Sequence, residues 1–264
     1  MSEDKVYAAL FTKVERESGF RGGLYRQKCL RRRIAVRMRA CGVEGVSDYS
    51  ALLDRDPTEY ERLLRVLTIN VSKFFRNPET WEIIRNEILP NLLRAEKPLV
   101  MWSAGTAAGE EAYSLAILAW EWLAARKRDF NGVRVVGTDI DAQSLEAARS
   151  ASYPDVALSE TPPGLKRRWF TQDDGWRLRE PIRSLVEFEQ LDILGRPAFE
   201  ADLILCRNLL IYLDRPAQQQ VFDSFLEVLR PGGYLVLGRV ENLSAAVRSS
   251  FETVNARERV YRRL

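Results

Sequence analysis

The sequence predicts an α/β fold in which a mostly parallel β-sheet follows an all-helical N-terminal domain. Up to about residue 95, apolar residues recur three and four positions apart, which is helical spacing. From residue 98 onward, short apolar segments alternate with helical ones, a pattern typical of right-handed β-α-β units. Turn residues interrupt this alternation between residues 151 and 184. We therefore expect a small antiparallel β excursion there.

The helical domain is predicted from segments such as YERLLRVLTINV (60–71) and TWEIIRNEILPNLL (80–93). Pro78 is placed where a helix can begin, with Asn77 before it as a candidate cap. We accordingly divide the chain into an N-terminal helical domain (1–72), a linker helix region (73–97) and an α/β domain (98–264).

Five segments after residue 98 have the length and composition of buried strands. Helical candidates at about 110–125, 142–150 and 216–229 lie between them. The final segment, FETVNARERVYRRL, predicts an antiparallel edge hairpin, and WFTQDDGWRLRE predicts a hairpin within the excursion. The five strand segments are LVMWSA (99–104), VRVVGTD (133–139), LVEFEQLD (185–192), ADLILCRN (201–208) and GYLVLG (233–238).

The composition excludes several classes of protein. The chain has no histidine, so His-based triads and His-ligated metals are excluded, and its three cysteines are too far apart for a zinc site or a disulfide framework. We therefore predict no metal and a reducing, cytoplasmic setting. The longest apolar run, YSLAILAWEWLAA, contains Glu121 and is too short to cross a bilayer, and no signal-peptide core is present. No membrane insertion is expected.

The first predicted strand ends in SAGTAAG, a turn of the kind that receives ligands in open α/β sheets. Gly105 permits a tight turn, and Gly109 permits close approach of a ligand or a helix. The turn matches neither the dinucleotide fingerprint nor the phosphate-binding loop. Two glycines four residues apart are a weak signal, because many such turns are plain connections.

Acidic residues beside this turn say more about the ligand. Glu110 and Glu111 open the next helix, where they would repel a phosphate; the ordinary alternative is that they complement the helix dipole. Asp139 ends the second strand and is placed to accept hydrogen bonds from ribose hydroxyls, whereas Asp141 suits the role of a helix cap better. A nucleoside with a positive charge and no phosphate fits these residues. S-adenosylmethionine (SAM) is such a ligand, and Asp192 is placed to accept from its adenine amino group.

Five motifs together resemble the CheR-type chemotaxis receptor glutamate O-methyltransferases, over nearly the whole chain. PGGYLVLG marks only a SAM-dependent methyltransferase in general, whereas NVSKFFR and CRNLLIY are far more specific to this family. The resemblance implies a Rossmann-like class I methyltransferase domain with an N-terminal helical domain. The motifs are TINVSKFFRNPETW (68–81), WSAGTAAGEEAYSLAI (102–117), GTDID (137–141), DLILCRNLLIYLD (202–214) and LRPGGYLVLGRVENL (229–243).

The resemblance also implies roles for individual residues. Arg76 and Tyr212 would lie near the reacting centre and are the predicted catalytic residues. The enzyme would methylate glutamate side chains of chemoreceptors, yielding S-adenosylhomocysteine. The residues predicted to bind the cofactor are Asn70, Ser72, Arg76, Gly105, Glu111, Asp139, Asp192, Ile193, Arg207 and Asn208.

The chemistry agrees with a chain that lacks histidine. A glutamate carboxylate is already ionised at neutral pH, so its methylation needs no general base and can be catalysed by positioning and electrostatics. Three departures from the family pattern occur. Ser72 stands where Thr is common, Ala112 replaces a common Pro, and GRVEN (238–242) replaces the usual Gly-His-Ser-Glu, with Arg239 in place of His.

Between Arg21 and Arg39 the chain has eight basic residues and no acidic one. A solvated face of a core-packed helix and binding of nucleic-acid phosphate are two interpretations. The resemblance favours a third, contact with the acidic helical bundle of a chemoreceptor's cytoplasmic part or a receptor-like signalling protein, with peripheral association at receptor arrays. The residues predicted to bind this partner are Arg26, Arg32, Arg33 and Arg37.

Two alternatives to this function stay open. Methylation of RNA would need aromatic residues among the arginines for base stacking, but only Tyr25 is available, and we expect no nucleic-acid partner. A module that binds SAM or its product and signals without turnover is suggested by the altered GRVEN segment. The presence of both Arg76 and Tyr212 argues against it.

Overall fold

A computed structural model describes residues 3–68, 72–94 and 98–264 of the chain. Two compact units are present. The helical unit comprises Met1–Asn70 together with Ile211–Gln218, and the sheet unit comprises Val71–Leu210 together with Gln219–Leu264.

Four helices in the helical unit bury apolar faces with helical spacing. In the second of them Leu30, Ile34 and Met38 are buried, which is the apolar stripe of the basic segment. Leu10 and Val14 of the first helix are also buried, as expected from residues four apart. The helices are α1 (Glu3–Ser18), α2 (Gln27–Ala40), α3 (Val46–Arg55) and α4 (Thr58–Leu67).

A segment from far along the chain completes the helical unit. Tyr25 and Leu213 form an antiparallel bridge. The backbone N–H of Arg26 donates to the Tyr212 carbonyl at 2.8 Å, and that of Asp214 donates to the Leu24 carbonyl at 3.0 Å. Tyr212 therefore belongs to the helical unit, which its place in the sequence does not suggest.

Within the described residues the main sheet of the sheet unit has seven strands, in the order β6-β2-β1-β7-β8-β10-β9. Neighbouring strands among β6, β2, β1, β7 and β8 pair in parallel, and the pairs β8·β10 and β10·β9 are antiparallel. The predicted α/β fold and its antiparallel edge hairpin are thus confirmed. The strands are β1 (Leu99–Ala104), β2 (Val133–Asp139), β6 (Val186–Gln190), β7 (Ala201–Cys206), β8 (Leu229–Leu237), β9 (Phe251–Asn255) and β10 (Val260–Arg263).

The excursion is also confirmed, as a three-stranded antiparallel sheet in the order β3-β5-β4. Its hairpin turns at Asp173–Gly175, where Gly175 has a φ of 112°. The strands are β3 (Ser152–Tyr153), β4 (Phe170–Asp173) and β5 (Gly175–Leu178).

One long helix of the sheet unit precedes β1 in the chain. It runs from Pro78 to Leu93, with a π-helical turn at Ile84–Ile88. The π turn precedes Pro90, whose missing N–H removes one hydrogen bond of an α-helix. None of the helices within 3–68, 72–94 and 98–264 combines the length and apolar character needed to span a membrane. The helices are α5 (Pro78–Ile83), α6 (Leu89–Leu93), α7 (Glu110–Ala124), α8 (Ala142–Ser150), α9 (Pro163–Trp169) and α10 (Glu180–Arg183), and α11 (Arg215–Val228) continues into this unit from the helical unit.

Candidate active site

The glycine-rich turn follows β1 at the edge where the parallel strands β1, β2 and β7 end. Gly105 and Gly109 have φ values of 74° and 87°, which L side chains rarely adopt. A Cβ at position 105 would lie 2.8 Å from Leu209 Cδ2, and one at position 109 would lie 2.9 Å from both Ala148 Cβ and Phe188 Cζ. Gly109 therefore admits α8 and β6 to close packing.

The Asp139 side chain links the end of β2 to the turn that follows β1. Its Oδ2 accepts from the backbone N–H of Ala107 at 2.9 Å, and its Oδ1 accepts from that of Asp141 at 3.0 Å. Burial raises the pKa of the Asp139 carboxyl. Asp141 is the cap of α8, because its side chain accepts from the backbone N–H of Gln143 at 3.0 Å. The prediction that Asp141 caps a helix is therefore confirmed, whereas the ribose-binding role of Asp139 stays a prediction.

Glu111 lies in the first turn of α7 and is buried beside Arg207. Its Oε1 accepts from Ser103 Oγ at 2.9 Å, and its Oε2 accepts from Arg207 Nη1 at 3.3 Å. Burial raises the pKa of the Glu111 carboxyl in spite of the nearby guanidinium, and burial lowers the pKa of Arg207. The two groups form a buried ion pair in which both charges are poorly solvated.

Arg207 also contacts the segment that carries Arg76. Its Nη2 donates to the Arg76 carbonyl at 2.7 Å and to Asn77 Oδ1 at 3.0 Å. Trp81 Nε1 donates to the same Arg76 carbonyl at 3.1 Å. Asn77 precedes Pro78 as predicted, but its side chain makes no capping hydrogen bond; it accepts from Arg207 instead.

Glu110 was not among the residues predicted to form the site. Its side chain is buried, and burial raises its pKa to about 7. No hydrogen-bond partner of Glu110 Oε2 is found among the described residues. The sequence carries a signal, since Glu110 is the first of the paired acids, but only the structure shows that its Oε2 has no hydrogen-bond partner among the described residues.

Asn208 follows Arg207 with a φ of 62°. Its backbone N–H donates to Glu241 Oε2 at 3.0 Å, and the same oxygen accepts from the backbone N–H of Gly238 at 2.6 Å. Glu241 thereby ties the end of β7 to the end of β8. In the altered GRVEN segment, Arg239 pairs with Glu258 at 2.9 Å and Glu79 at 2.7 Å.

Asp192 and Ile193 follow β6 beside Asp139. The backbone N–H of Leu191 donates to the Asp139 carbonyl at 3.0 Å, which brings this loop to the end of β2. Asp192 Oδ1 accepts from the backbone N–H of Leu194 at 2.9 Å, and Ile193 is buried. Both residues thus lie at the same sheet edge as Gly105, Glu111 and Asp139.

Not every predicted residue is part of this cluster. Asn70 lies outside the described residues, and Ser72 is half-buried just before the Arg76 segment. Tyr212 lies in the helical unit, where the Arg33 guanidinium is 5.4 Å from the centre of its ring. Its predicted catalytic role, like that of Arg76, stays a prediction.

The basic residues of α2 divide into two groups. Arg37 makes two hydrogen bonds to buried Glu59, and Arg33 donates to the carbonyls of Val66 and Leu67. Arg26 is exposed, although its Nε donates to the Leu213 carbonyl at 3.2 Å, and Arg32 is exposed as well. Arg33 and Arg37 have internal partners that the sequence did not reveal, and the partner-binding role of all four stays a prediction.

The site suits a cationic, hydroxyl-bearing ligand better than a phosphate. The buried residues Glu110, Glu111 and Asp139 lie around a glycine turn, and both Glu110 Oε2 and Thr106 Oγ1 lack hydrogen-bond partners in the part of the chain that the structure describes. A sulfonium, an ammonium and ribose hydroxyls are groups that such a donor set can hold. Within the described ranges, no group of acidic and cysteine side chains could hold a metal ion.

Comparisons with known proteins assign the chain to a family. Residues 70–260 match the model of the CheR methyltransferase SAM-binding domain, and residues 5–68 match that of the CheR methyltransferase all-alpha domain. The chain is 35% identical over 233 residues to chemotaxis protein methyltransferase 2 of Pseudomonas aeruginosa, covering 84% of this chain and 82% of that protein.

Two further similarities were found. Chemotaxis protein methyltransferase of Listeria innocua is 28% identical over 255 residues, covering 96% of this chain and 95% of that protein. The crystal structure of N-methyltransferase NodS from Bradyrhizobium japonicum with S-adenosyl-L-homocysteine is 18% identical, covers 72% of this chain and 90% of that one, and has a TM-score of 0.40. On the family models and the Pseudomonas relative, the chain belongs to the CheR methyltransferase family and has SAM as its cofactor.

Proposed function

We propose that this protein transfers the methyl group of SAM to glutamate side-chain carboxylates of chemoreceptors or of a receptor-like signalling protein. The products would be glutamate methyl esters and S-adenosylhomocysteine. The observation that carries the proposal is the pair of buried carboxylates, Glu111 and Asp139, at the adjoining ends of β1 and β2 in a chain of this family. The names of its relatives, which are chemotaxis protein methyltransferases, support the choice of substrate.

In this proposal the sheet edge holds the cofactor. Glu111 would bind the ammonium group, Asp139 the ribose hydroxyls, and Asp192 with Ile193 would flank the adenine. Gly105 and Asn208 would leave room for the ligand through their left-handed backbones, whose φ values are 74° and 62°. The bound cofactor supplies a methyl group on a positively charged sulfur, which departs as a neutral thioether.

The substrate carboxylate would need to be oriented but would not need to be deprotonated. A free glutamate side chain has a pKa of about 4.3, so its carboxylate is ionised at neutral pH. The chain contains no histidine, which is consistent with a reaction that uses no imidazole base. Arg76 would orient the carboxylate electrostatically, and Tyr212 would contribute contacts near the reacting atoms. Asn70 and Ser72 would complete the cofactor site from the segment before Arg76.

The exposed basic residues of α2 suit an acidic protein surface. Arg26, just before this helix, and Lys28, Arg32 and Arg39 on it are exposed. A complementary field speeds encounter and sets orientation more than it raises affinity. We therefore propose that α2 docks on the acidic helical bundle of the receptor's cytoplasmic part. The protein would accordingly act in the cytoplasm. Arg26 and Arg32 are the better candidates for direct contact, because both are exposed, whereas Arg33 and Arg37 are only partly exposed and bond within their own unit.

The deciding experiment is transfer of labelled methyl from SAM to a receptor cytoplasmic fragment, followed by treatment with alkali. Carboxyl methyl esters release methanol in base, so label lost from the receptor band as volatile methanol is expected. Arg76→Gln should lower the rate by about 100-fold while SAM still binds. The matched control is Arg134→Gln, which alters an arginine on β2 that pairs with Glu187 and Glu189; it should keep the wild-type rate.

Two outcomes would contradict the proposal. Label that resists alkali would indicate methylation of nitrogen or another group. SAM binding measured by calorimetry without any protein label, across receptor fragments that bind the protein, would favour a signalling module that senses the cofactor without turnover.

A further inference from the structure

Arg207 connects three parts of the sheet unit. Its Nη1 reaches Glu111 Oε2 at 3.3 Å, and its Nη2 reaches the Arg76 carbonyl at 2.7 Å and Asn77 Oδ1 at 3.0 Å. Only 3% of its side chain is exposed. We propose that Arg207 is a positioning residue, which sets the place of Arg76 by fixing that residue's backbone to the carboxylate of Glu111.

This role differs from direct contact with the cofactor, which the family resemblance implies for Arg207. The guanidinium has five N–H donors in one plane, and both of its terminal nitrogens already face protein acceptors. Its Nε has no hydrogen-bond partner among the described residues but is enclosed by protein. The Arg207 guanidinium therefore contacts both Glu111 and the Arg76 segment, and little of its surface is left for contact with a ligand.

A simple counter-ion for Glu111 would not need this geometry. The contact with Glu111 is the longest of the three, and the shortest is made to a neutral backbone carbonyl. The Arg76 carbonyl, which already accepts from Trp81, gains a second, charged donor in Arg207, so two side chains fix its position. The hydrogen bonds thus point to the backbone of Arg76 as the group that is held.

The backbone on either side of Arg76 needs such fixing. Phe75 and Asn77 have φ values of 56° and 61°, a left-handed conformation that is unfavourable for phenylalanine in particular. Such residues persist where the surrounding contacts over-determine them, and they cluster at functional sites. The backbone N–H of Phe75 donates to Ser114 Oγ at 3.1 Å, that of Asn77 donates to Glu160 Oε2 at 2.9 Å, and Arg207 holds the carbonyl between them.

The kinetic consequence rests on the proposed function, in which Arg76 orients the substrate carboxylate. Displacement of such a group by about 1 Å can lower a rate about 100-fold. Arg207→Gln should therefore lower kcat about 100-fold at saturating SAM, with a change of less than about threefold in the dissociation constant of SAM. Arg207→Lys keeps the charge but lacks the planar fork, so it should recover little of the rate.

A double-mutant cycle separates positioning from a general loss of structure. If Arg207 acts through Arg76, Arg207→Gln should have almost no further effect on kcat in an Arg76→Gln background. The matched control is Arg230→Gln, which removes the arginine that pairs at 2.8 Å with buried Asp202 in β7, the strand that Arg207 follows. It should lower the melting temperature yet leave kcat unchanged and additive with Arg76→Gln.

A second measurement does not depend on the substrate. The Trp81 indole N–H donates to the carbonyl that Arg207 holds, so its ¹H–¹⁵N resonance reports on that carbonyl. We expect this resonance to shift or broaden in Arg207→Gln and Arg207→Lys and to stay in place in Arg230→Gln. This result would stand even if the methyl acceptor were not glutamate.

Three results would overturn the proposal. One is a large rise in the SAM dissociation constant of Arg207→Gln with kcat retained, which would make Arg207 a direct cofactor ligand. Another is full additivity of Arg207→Gln with Arg76→Gln. The third is an unchanged Trp81 indole resonance in a folded Arg207→Gln protein.

Discussion

Two buried arginine–carboxylate pairs, one in each unit, use the same groups in opposite ways. In the helical unit, Glu59 accepts from Arg37 Nε at 2.8 Å and Nη2 at 2.7 Å, and also from the Tyr49 hydroxyl at 2.8 Å. In the sheet unit, Glu111 receives a single arginine contact at 3.3 Å. Side-chain exposure is 1% for Glu59 and 11% for Glu111, but Glu111 lies deeper in the protein, so the two carboxylates differ in desolvation as well as in their partners.

The pKa shifts show what the difference in partners does. Burial acts to raise the pKa of Glu59, but hydrogen bonds from Arg37 and Tyr49 outweigh it and lower the pKa. Burial also acts to raise the pKa of Glu111, and there it prevails over Arg207. A fully bonded pair stabilises the fold, whereas an underbonded one keeps the capacity to bind a cation. The comparison teaches that the hydrogen bonds that a carboxylate receives, together with its depth in the protein, decide whether its pKa is lowered, as in Glu59, or raised, as in Glu111.

The largest effect is expected from breaking the satisfied pair. Glu59→Gln leaves the partly buried Arg37 guanidinium, whose side chain is 18% exposed, without its carboxylate, which should cost about 3–5 kcal/mol of unfolding free energy. Urea unfolding followed by circular dichroism measures this loss. Glu44→Gln, at an exposed position before α3, is the control and should stay within about 0.5 kcal/mol of wild type. A loss below about 1 kcal/mol for Glu59→Gln would contradict our view of this pair.

Replacement of Glu110 by Gln should raise the free energy of unfolding, whereas replacement of Glu59 lowers it. The pKa of Glu110 is raised to about 7 by burial, so the folded protein favours the protonated form, and the stability that this form provides is lost as pH rises from about 4.5 toward 7. Glu110→Gln removes this loss and should gain about 3 kcal/mol relative to wild type between pH 5 and pH 8. Unfolding curves at both pH values measure the gain. An equal difference at the two pH values, as expected for the exposed control Glu146→Gln, would remove Glu110 as the titrating group.

Glu111→Gln tests whether the underbonded acid is a cofactor ligand. The neutral amide keeps the shape but not the charge, so we expect a loss of about 2 kcal/mol in SAM binding, or roughly 30-fold in the dissociation constant. Isothermal titration calorimetry with SAM measures it. Glu187→Gln, on the exposed part of β6, should bind as wild type does. Unaltered affinity in Glu111→Gln would place the cofactor cation elsewhere.

The smallest effect is expected at Arg239, whose pairs are partly exposed. Arg239→His restores the residue common in the family and removes contacts to Glu79 and buried Glu258, while Thr80 Oγ1 still donates to Glu258 at 2.6 Å. We expect a loss of about 1 kcal/mol in thermal unfolding, with little change in SAM affinity. A change in stability above about 3 kcal/mol would show that this network resembles the Arg37–Glu59 pair more than its exposure suggests.

Local patterns predicted much of the fold. The bounds of β1 and β2 agree with the predicted segments, and the hairpin of the excursion turns at the predicted residues. Strand length, alternation with helices and turn chemistry are encoded within short windows, which explains this success. The carboxyl-edge position of Glu111 and Asp139 follows from the parallel sheet in the same way.

Contacts between distant residues could not be predicted in this way. Arg37 and Glu59 are 22 residues apart, and Arg37 looked like part of a partner-binding face until its carboxylate was located. The return of Tyr212 to the helical unit depends on backbone pairing with Tyr25 and Arg26, and a single sequence carries no signal for such pairing. Glu110 is visible in the sequence, but the lack of a hydrogen-bond partner for its Oε2 within the described ranges is a property of the packed state.

The chain positions joined by Arg207 also bear on how long the protein lasts. The guanidinium links residues 96, 130 and 131 positions away, so this part of the site exists only when the sheet unit is complete. The proposed cofactor ligands Glu111, Asp139 and Asp192 likewise come from separate elements of the sheet unit, so a partly folded chain would bind SAM less tightly and the cofactor would stabilise mainly the native state. At 100 times its dissociation constant a ligand adds about 2.7 kcal/mol. Depletion of SAM should thus shorten the lifetime of the protein in a proteolytic environment as well as slow its reaction.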